Sequence, residues 1–197
     1  MARSVDPFER MDPTDDARFY AIERKVTHIE QGAIEALRAT YADLLPPGAT
    51  VLDLMSSWRS HLPDGVGPVT GLGMNASEMD DNPQLARYVV HDLNRDPHLP
   101  FDDESFDAVV CAVSVQYLVR PIEVFTDVRR VLRAGGPFVV SFSNRCFPTK
   151  AVAIWLSSRS AEHVALVRAY FENAGFTAVV DTQPMTPDDP LWAVTGR

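Results

Sequence analysis

The sequence predicts an α/β fold in three layers, a mostly parallel sheet with helices on both faces and an antiparallel hairpin on one edge. Three observations carry this. Short apolar runs alternate with amphipathic stretches along the chain, the pattern of successive βαβ units. The run Ser105–Val115 is continuously apolar, as suits a central strand buried on both faces. The chain closes with two strand-like runs, Phe176–Thr182 and Leu191–Thr195, joined by a turn containing Pro184, Pro187 and Pro190.

Each element has its own local reason. The first fifteen or so residues, with Pro7 and Pro13, are polar and irregular, with Phe8 available to dock the arm on the body. From Ala17 to Leu45, Ile22, Val26, Ile29, Ala33, Leu37, Tyr41 and Leu44 recur at three- and four-residue spacing, which predicts one long helix ended by Pro46, Pro47 and Gly48. Val51–Leu54 is a buried strand, and Pro68–Leu72 a second, fenced by Gly65, Gly67 and Gly73. Ala76–Leu85 is a short helix broken at Pro83, and Tyr88–His91 a third strand. Pro121–Leu132 places Ile122, Phe125, Val128 and Val131 on one helical face and charges on the other. Gly135-Gly136 turns the chain into a fifth strand, Phe138–Phe142. Ala151–Leu156 and Ala161–Ala174 are helices, the second stopped at Gly175. The expected organisation is a single structural unit: a cap of residues 1–45 on a sheet domain of residues 46–197.

Composition narrows the function classes. With 197 residues, 46% hydrophobic and 23% charged, the chain fits one globular domain with its own core. A net charge of −9 disfavours nucleic-acid partners, which need clustered Lys and Arg. No apolar run approaches the roughly 18 residues of a membrane span, and the N-terminus lacks the apolar core of a secretory signal. The two cysteines, Cys111 and Cys146, do not make a disulfide framework. The expectation is a cytoplasmic protein, monomer or homodimer, with no nucleic-acid or membrane partner. His61, His91 and His98 lack metal-ligand spacing, so no metal is assigned.

Two segments resemble a known family. Leu99-Pro100-Phe101-Asp102-Asp103-Glu104-Ser105-Phe106-Asp107 is similar to the stretch entering the fourth strand of the class I S-adenosylmethionine-dependent methyltransferases, in the small-molecule "methyltransferase type 11" group. Val131-Leu132-Arg133-Ala134-Gly135-Gly136 is similar to their turn before the fifth strand, with Ala134 where proline is usual. With Gly175-Phe176 the resemblance covers roughly three quarters of the chain, and it implies a Rossmann-like sheet, S-adenosylmethionine as cofactor and methyl transfer as the reaction.

The same resemblance implies site residues. Asp53 stands at the acidic end of the first strand, with Leu54 before the loop. Met55, Ser57 and Arg59 occupy the places of the loop's three glycines, with Ser56 between. Gly73 stands where the family carries a ribose-binding acid, followed by Met74 and Asn75; Asn75 or Glu78 is the nearest substitute. Losing that acid costs on the order of 1.5–3 kcal/mol, roughly ten- to hundredfold in affinity. Asp92, with Leu93, matches the adenine-binding position, though a carboxylate capping its own loop explains it equally. Val113 and Ser114 end the fourth strand beside the cofactor.

For the acceptor, the candidates are Phe19 and Tyr20 of the cap, Trp58, Gln116, Tyr117, Asn144 and Arg145. Trp58 would cover the ligand or pack on the N-terminal helix. Arg145 and Lys150 would meet an acidic substrate or lie in a solvated loop. His61 is the candidate catalytic base, its ordinary pKa suiting proton transfer near neutrality, against the plainer role of a surface histidine. Two functions stay open: methyl transfer to a small molecule, or a methyltransferase-like binding or scaffold protein, or repurposed enzyme, whose cofactor site is lost or weakened.

Overall fold

The computed structural model describes residues 6–184 and 190–197. The first five residues of the arm, and Pro187 of the C-terminal turn, lie outside the described residues. Seven strands form one sheet: β1 (Val51–Leu54), β2 (Val69–Gly73), β3 (Arg87–Val90), β4 (Ala108–Ala112), β5 (Phe138–Ser143), β6 (Val180–Thr182) and β7 (Leu191–Gly196), in the order β3-β2-β1-β4-β5-β7-β6. β1 through β5 pair in parallel; β7 runs antiparallel between β5 and β6. The mostly parallel sheet with a hairpin on one edge is thus present. Strand order reverses between β1 and β4, the place where open α/β sheets leave a crevice.

The helices are α1 (Asp16–Tyr20), α2 (Gln31–Leu44), α3 (Ala76–Asp80), α4 (Pro121–Val131), α5 (Ala153–Ser157) and α6 (Ser160–Asn173). On one face Ala33, Leu37 and Tyr41 of α2 pack with Val51, Val69, Val110 and Val139 in one core cluster. On the other, Phe125 of α4 and Phe171 of α6 close edge-on with Phe138, with ring centroids 4.8 to 5.1 Å apart. These tilted pairs add to the burial of large apolar area. Asp107 is structural: its carboxylate accepts from the Thr50 amide at 2.8 Å and from Arg133 at 2.6 Å. Gly135, at φ +77°, makes the turn into β5.

Several boundaries differ from the sequence reading; α3, for one, ends at Asp80 rather than Leu85. The long helix from Ala17 to Leu45 is two helices, and residues 21–30 between them are irregular. A helix spends its backbone groups internally, whereas this segment spends several of them on neighbours. The Arg24 amide donates to Glu78, the Tyr20 carbonyl accepts from Asn75, and the Val26 carbonyl accepts from Trp58. Ile22 and Val26, counted in the apolar stripe, are exposed. The fourth strand ends at Ala112, because Val113 turns to φ +45° and breaks the pleat. The sixth is cut to Val180–Thr182 by Ala178 at φ +51°, although Thr177 still pairs through its backbone with Arg197.

Candidate functional site

A cavity of about 760 Å³ opens where the strand order reverses, between the exits of β1, β2, β3 and β4 and under residues 24–31. That volume suits a small-molecule or cofactor pocket.

Its floor is the β1 exit. Asp53 is buried, and its Oδ2 accepts from Ser56 Oγ at 2.5 Å and Ser60 Oγ at 2.7 Å. Burial pushes its carboxyl up to about 6, against the two serine hydroxyls, which favour the charged form. Asn82 ties the loop down through the Ser57 carbonyl and Ser60 Oγ. Met55, at the first glycine position of the resemblance, holds φ +58°, so the conformation glycine would have supplied is kept by a residue that tolerates it poorly.

The loop and Gly73 are one structural change, not two. The Ser56 amide donates to the Leu72 carbonyl at 2.8 Å, carrying the loop across the end of β2. A Cβ on Gly73 would collide with the Ser56 carbonyl oxygen and sit 3.1 Å from Met79 Sδ. No side chain, acidic or otherwise, fits there while the loop takes this path.

The two residues nearest as substitutes are both engaged. Asn75 caps α3 through Oδ1, accepting from the Glu78 amide at 3.1 Å, and donates from Nδ2 to the Tyr20 carbonyl at 2.9 Å. Glu78 is buried; Oε1 accepts from the Arg24 amide and Oε2 from Ser57 Oγ, each at 2.5 Å.

At the β3 exit, Asp92 caps its own loop through one carboxylate oxygen: Oδ1 accepts from the amides of Asn94 at 2.9 Å and Arg95 at 3.3 Å. Oδ2 takes no hydrogen bond from the described residues and stays available on the cavity wall. At the β4 exit, Gln116 Nε2 donates to the carbonyl of the strained Val113 at 2.8 Å. Gln116 is therefore a brace behind the wall rather than part of it.

His61 lines the cavity at 8% exposure, at φ +56°, and its ring makes no hydrogen bond to the described residues. Burial, then the charges of Arg38 and Arg59 and the neighbouring His28, pull it down to about 4, so the imidazole is neutral at physiological pH. His28, at φ +62°, also faces the cavity, its ring edge-on to Phe147 at 5.1 Å. Four of the six described non-glycine residues with positive φ, namely His28, Met55, His61 and Val113, line this one cavity. Strain of that kind gathers at functional sites.

Most residues singled out in the sequence meet here. Asp53, Met55, Ser56, Ser57, Trp58 and His61 come from the β1 loop. Gly73, Met74, Asn75, Asp92 and Leu93 come from the β2 and β3 exits. Val113, Ser114, Tyr117, Arg145 and Tyr20 complete the set. Four stand off the wall. Leu54 is core, Gln116 is the brace behind Val113, Asn144 is exposed, and Phe19 packs against Phe147 beneath the Arg24 guanidinium. Trp58 lines the cavity, and its indole N–H donates to the Val26 carbonyl at 3.0 Å. Arg145 pairs with Glu30 across the rim. Lys150 is neither solvated nor in the pocket: it is fully buried, ion-paired with Asp12 and Asp16 at 3.1 and 3.0 Å. His28 carried no sequence signal, because the segment bearing it reads as ordinary helix and only its tertiary path brings it to the cavity.

Residues 65–140 match the family described as "Methyltransferase domain". The match begins past the β1 loop. The chain is 29% identical over 89 residues to a malonyl-[acyl-carrier protein] O-methyltransferase of Marinomonas sp. (strain MWYL1), covering 45% of this chain and 32% of that protein. It is 32% identical over 71 residues to the biotin biosynthesis bifunctional protein BioHC of Teredinibacter turnerae, covering 36% of this chain and 12% of the relative. The chain therefore spans a third or less of the curated relatives it matches. An S-adenosylmethionine-dependent methyltransferase of Aquifex aeolicus superposes with a TM-score of 0.61 at 13% identity, over 92% of this chain and 96% of that one. By its sheet order and its structural likeness, the chain has the fold of the class I S-adenosylmethionine-dependent methyltransferases, and its residues 65–140 match the methyltransferase domain family.

Proposed function

We propose that the cavity binds S-adenosylmethionine and that the protein transfers its methyl group to a small-molecule acceptor. One observation carries the reading: a ligand-sized cavity at the switch point is bounded by the Asp53 carboxylate at one exit and by the unused Asp92 Oδ2 at another. The residues present fit the cofactor at its two ends. Asp92 Oδ2 is an acceptor for the adenine amino group, and Asp53 an anion for the amino acid's ammonium. Gly73 leaves the ribose position without the usual side chain.

When bound, S-adenosylmethionine supplies an electrophilic methyl group on a sulfonium. The protein's own part is mainly to hold and align. Arg24 and residues 26–31 line one side of the cavity. Methyl transfer makes the acceptor's proton strongly acidic, so a weak base suffices, and the neutral His61 ring can receive it. Tyr117 and Phe147, stacked at 6.0 Å, and Trp58 give the acceptor an aromatic surface.

Titration calorimetry with S-adenosylmethionine and S-adenosylhomocysteine tests the proposal. Binding at micromolar to submillimolar ligand is expected; no heat and no thermal shift at millimolar ligand would sink it. His61→Asn should leave S-adenosylhomocysteine affinity within threefold and lose most turnover. A second reading, a binding protein without turnover, is favoured by one observation: Glu78 and Asn75 are both committed to protein contacts. S-adenosylhomocysteine retained through purification would count against it.

A further inference from the structure

Glu78 is chemically the odd group in the cavity wall. It is a buried carboxylate, 8% exposed, and no Lys or Arg pairs with it among the described residues. Burying a carboxylate is expensive unless its oxygens are well served. Both are served by uncharged donors, and the two donors come from different elements. Oε1 takes the Arg24 N–H of the segment crossing the cavity, and Oε2 takes the Ser57 hydroxyl of the β1 loop. A carboxylate that receives two separate uncharged donors, one per oxygen, has the acceptor pattern for a pair of adjacent hydroxyls.

The surroundings point the same way. The only nearer strand-end position, Gly73, cannot carry a side chain under the Ser56 carbonyl. Asn75 cannot leave its place without uncapping α3. Glu78 can exchange its partners, because Ser57 Oγ is a single rotatable hydroxyl and residues 20–25 are otherwise fastened to this region by peripheral contacts: Asn75 to the Tyr20 carbonyl, Ser77 to Glu23, and the exposed pair Lys25–Asp81. Exposed pairs of that type contribute little.

We propose that Glu78 is a shared carboxylate: its two oxygens hold either the Arg24 amide and the Ser57 hydroxyl or the vicinal cis-diol of a nucleoside ligand, so that ligand binding and release of the 20–28 segment from α3 are one event. The inference rests on the cofactor reading above for the nucleoside, and adds which residue reads its diol and what that residue must let go. It makes Ser57 a competitor of the ligand rather than a ligand-binding group.

The experiment measures binding and amide exchange together on the full chain. Adenosine and 2′,3′-dideoxyadenosine compete against S-adenosylhomocysteine. In the wild type the diol should be worth at least tenfold; in Glu78→Gln, which keeps the shape of the side chain, the two nucleosides should converge to within threefold. Ser57→Ala, which frees Oε2, should tighten S-adenosylhomocysteine severalfold. The Arg24 amide should exchange faster in the presence of S-adenosylhomocysteine than without it. A retained tenfold preference in Glu78→Gln overturns the proposal, as does weaker binding in Ser57→Ala or a more protected Arg24 amide. If Glu78→Gln fails to fold by its melting transition, the Ser57→Ala and exchange results decide. Failure of the wild type to bind S-adenosylhomocysteine at all would instead remove the cofactor reading, and this proposal with it.

Discussion

The arm of residues 6–18 and the segment of residues 20–30 that follows it belong to one continuous stretch of chain, yet they are held by different physics. The arm is anchored. Backbone bonds join Pro7 and Glu9 to Ile154 and Ala153 at 2.8 Å each, and Asp12 to Thr149 at 2.9 Å. Beneath them lies a buried ion network in which Arg10 Nη1 donates to both Asp16 oxygens, Lys150 adds a second cation, and Asn94 donates to the same carboxylate. Burial pushes the Asp16 carboxyl up, but Asn94, Arg10 and Lys150 together outweigh it and hold it below its ordinary range. The 20–30 segment has no such network. It is held through the Arg24 N–H as donor, the Tyr20 and Val26 carbonyls as acceptors and exposed contacts of Glu23, Lys25 and Glu30, and it carries His28 in a left-handed conformation. Its floor, the β1 loop, carries a buried carboxylate with a raised pKa and two more left-handed residues. One part is built to stay; the other tolerates local cost, as surfaces committed to a ligand do.

The largest effect should come from breaking the anchor. Lys150→Met leaves Asp12 and the buried Asp16 without their shared cation. Removing one partner of a buried pair costs about 3 kcal/mol or more, so chemical denaturation should show a loss of that size. A loss under about 1 kcal/mol would mean that Arg10 alone carries Asp16 and that the contrast is overdrawn.

The loop should respond in the opposite direction. Asp53 has a carboxyl raised from the ordinary 3.8 to about 6, so the folded state binds its proton more tightly than the unfolded chain. The stability this contributes is complete below about pH 4 and is lost as pH rises through 6. Asp53→Asn should therefore stabilise the fold at pH 8 by about 2–3 kcal/mol, with the gain vanishing towards pH 4. Denaturation midpoints at the two pH values check this; a variant less stable than wild type at pH 8 would show that Asp53 serves the fold rather than a ligand.

The smallest effect separates shape from size. At φ +58°, Met55 pays a left-handed cost that glycine does not. Met55→Ala should be less stable than Met55→Gly, by about 1 kcal/mol, although alanine keeps more of the side chain and is favoured over glycine in ordinary strands. The usual order, with glycine worse, would show that packing of Met55 and not backbone strain governs the loop.

The legibility of the molecule followed the same division. The sheet was readable because buried parallel strands are short apolar runs whose period does not depend on distant partners, as in Val51–Leu54 and Ala108–Ala112. The departures at Met55–Arg59 and Gly73 were also visible as missing glycines and a missing acid, but their cause was not. That Ser56 lies over Gly73 is a contact across two strands, and no local pattern encodes it. The helix from Ala17 was misjudged at residues 21–30, since apolar spacing records a periodicity and not where backbone donors find partners. Lys150 reads as a loop cation until the arm, more than a hundred residues away in sequence, brings Asp12 and Asp16 to it.

By itself, then, the sequence determined the layers and most of the residues at the strand exits, because hydrophobic period and turn chemistry are local. Only the tertiary structure decided that Glu78 is shared between the crossing segment and the β1 loop, that His28 and His61 face one cavity, and that Asp92 keeps one oxygen unused. Each of these depends on side chains from separate elements meeting in a low-dielectric space, where a single hydrogen-bond partner decides what a charged group can do.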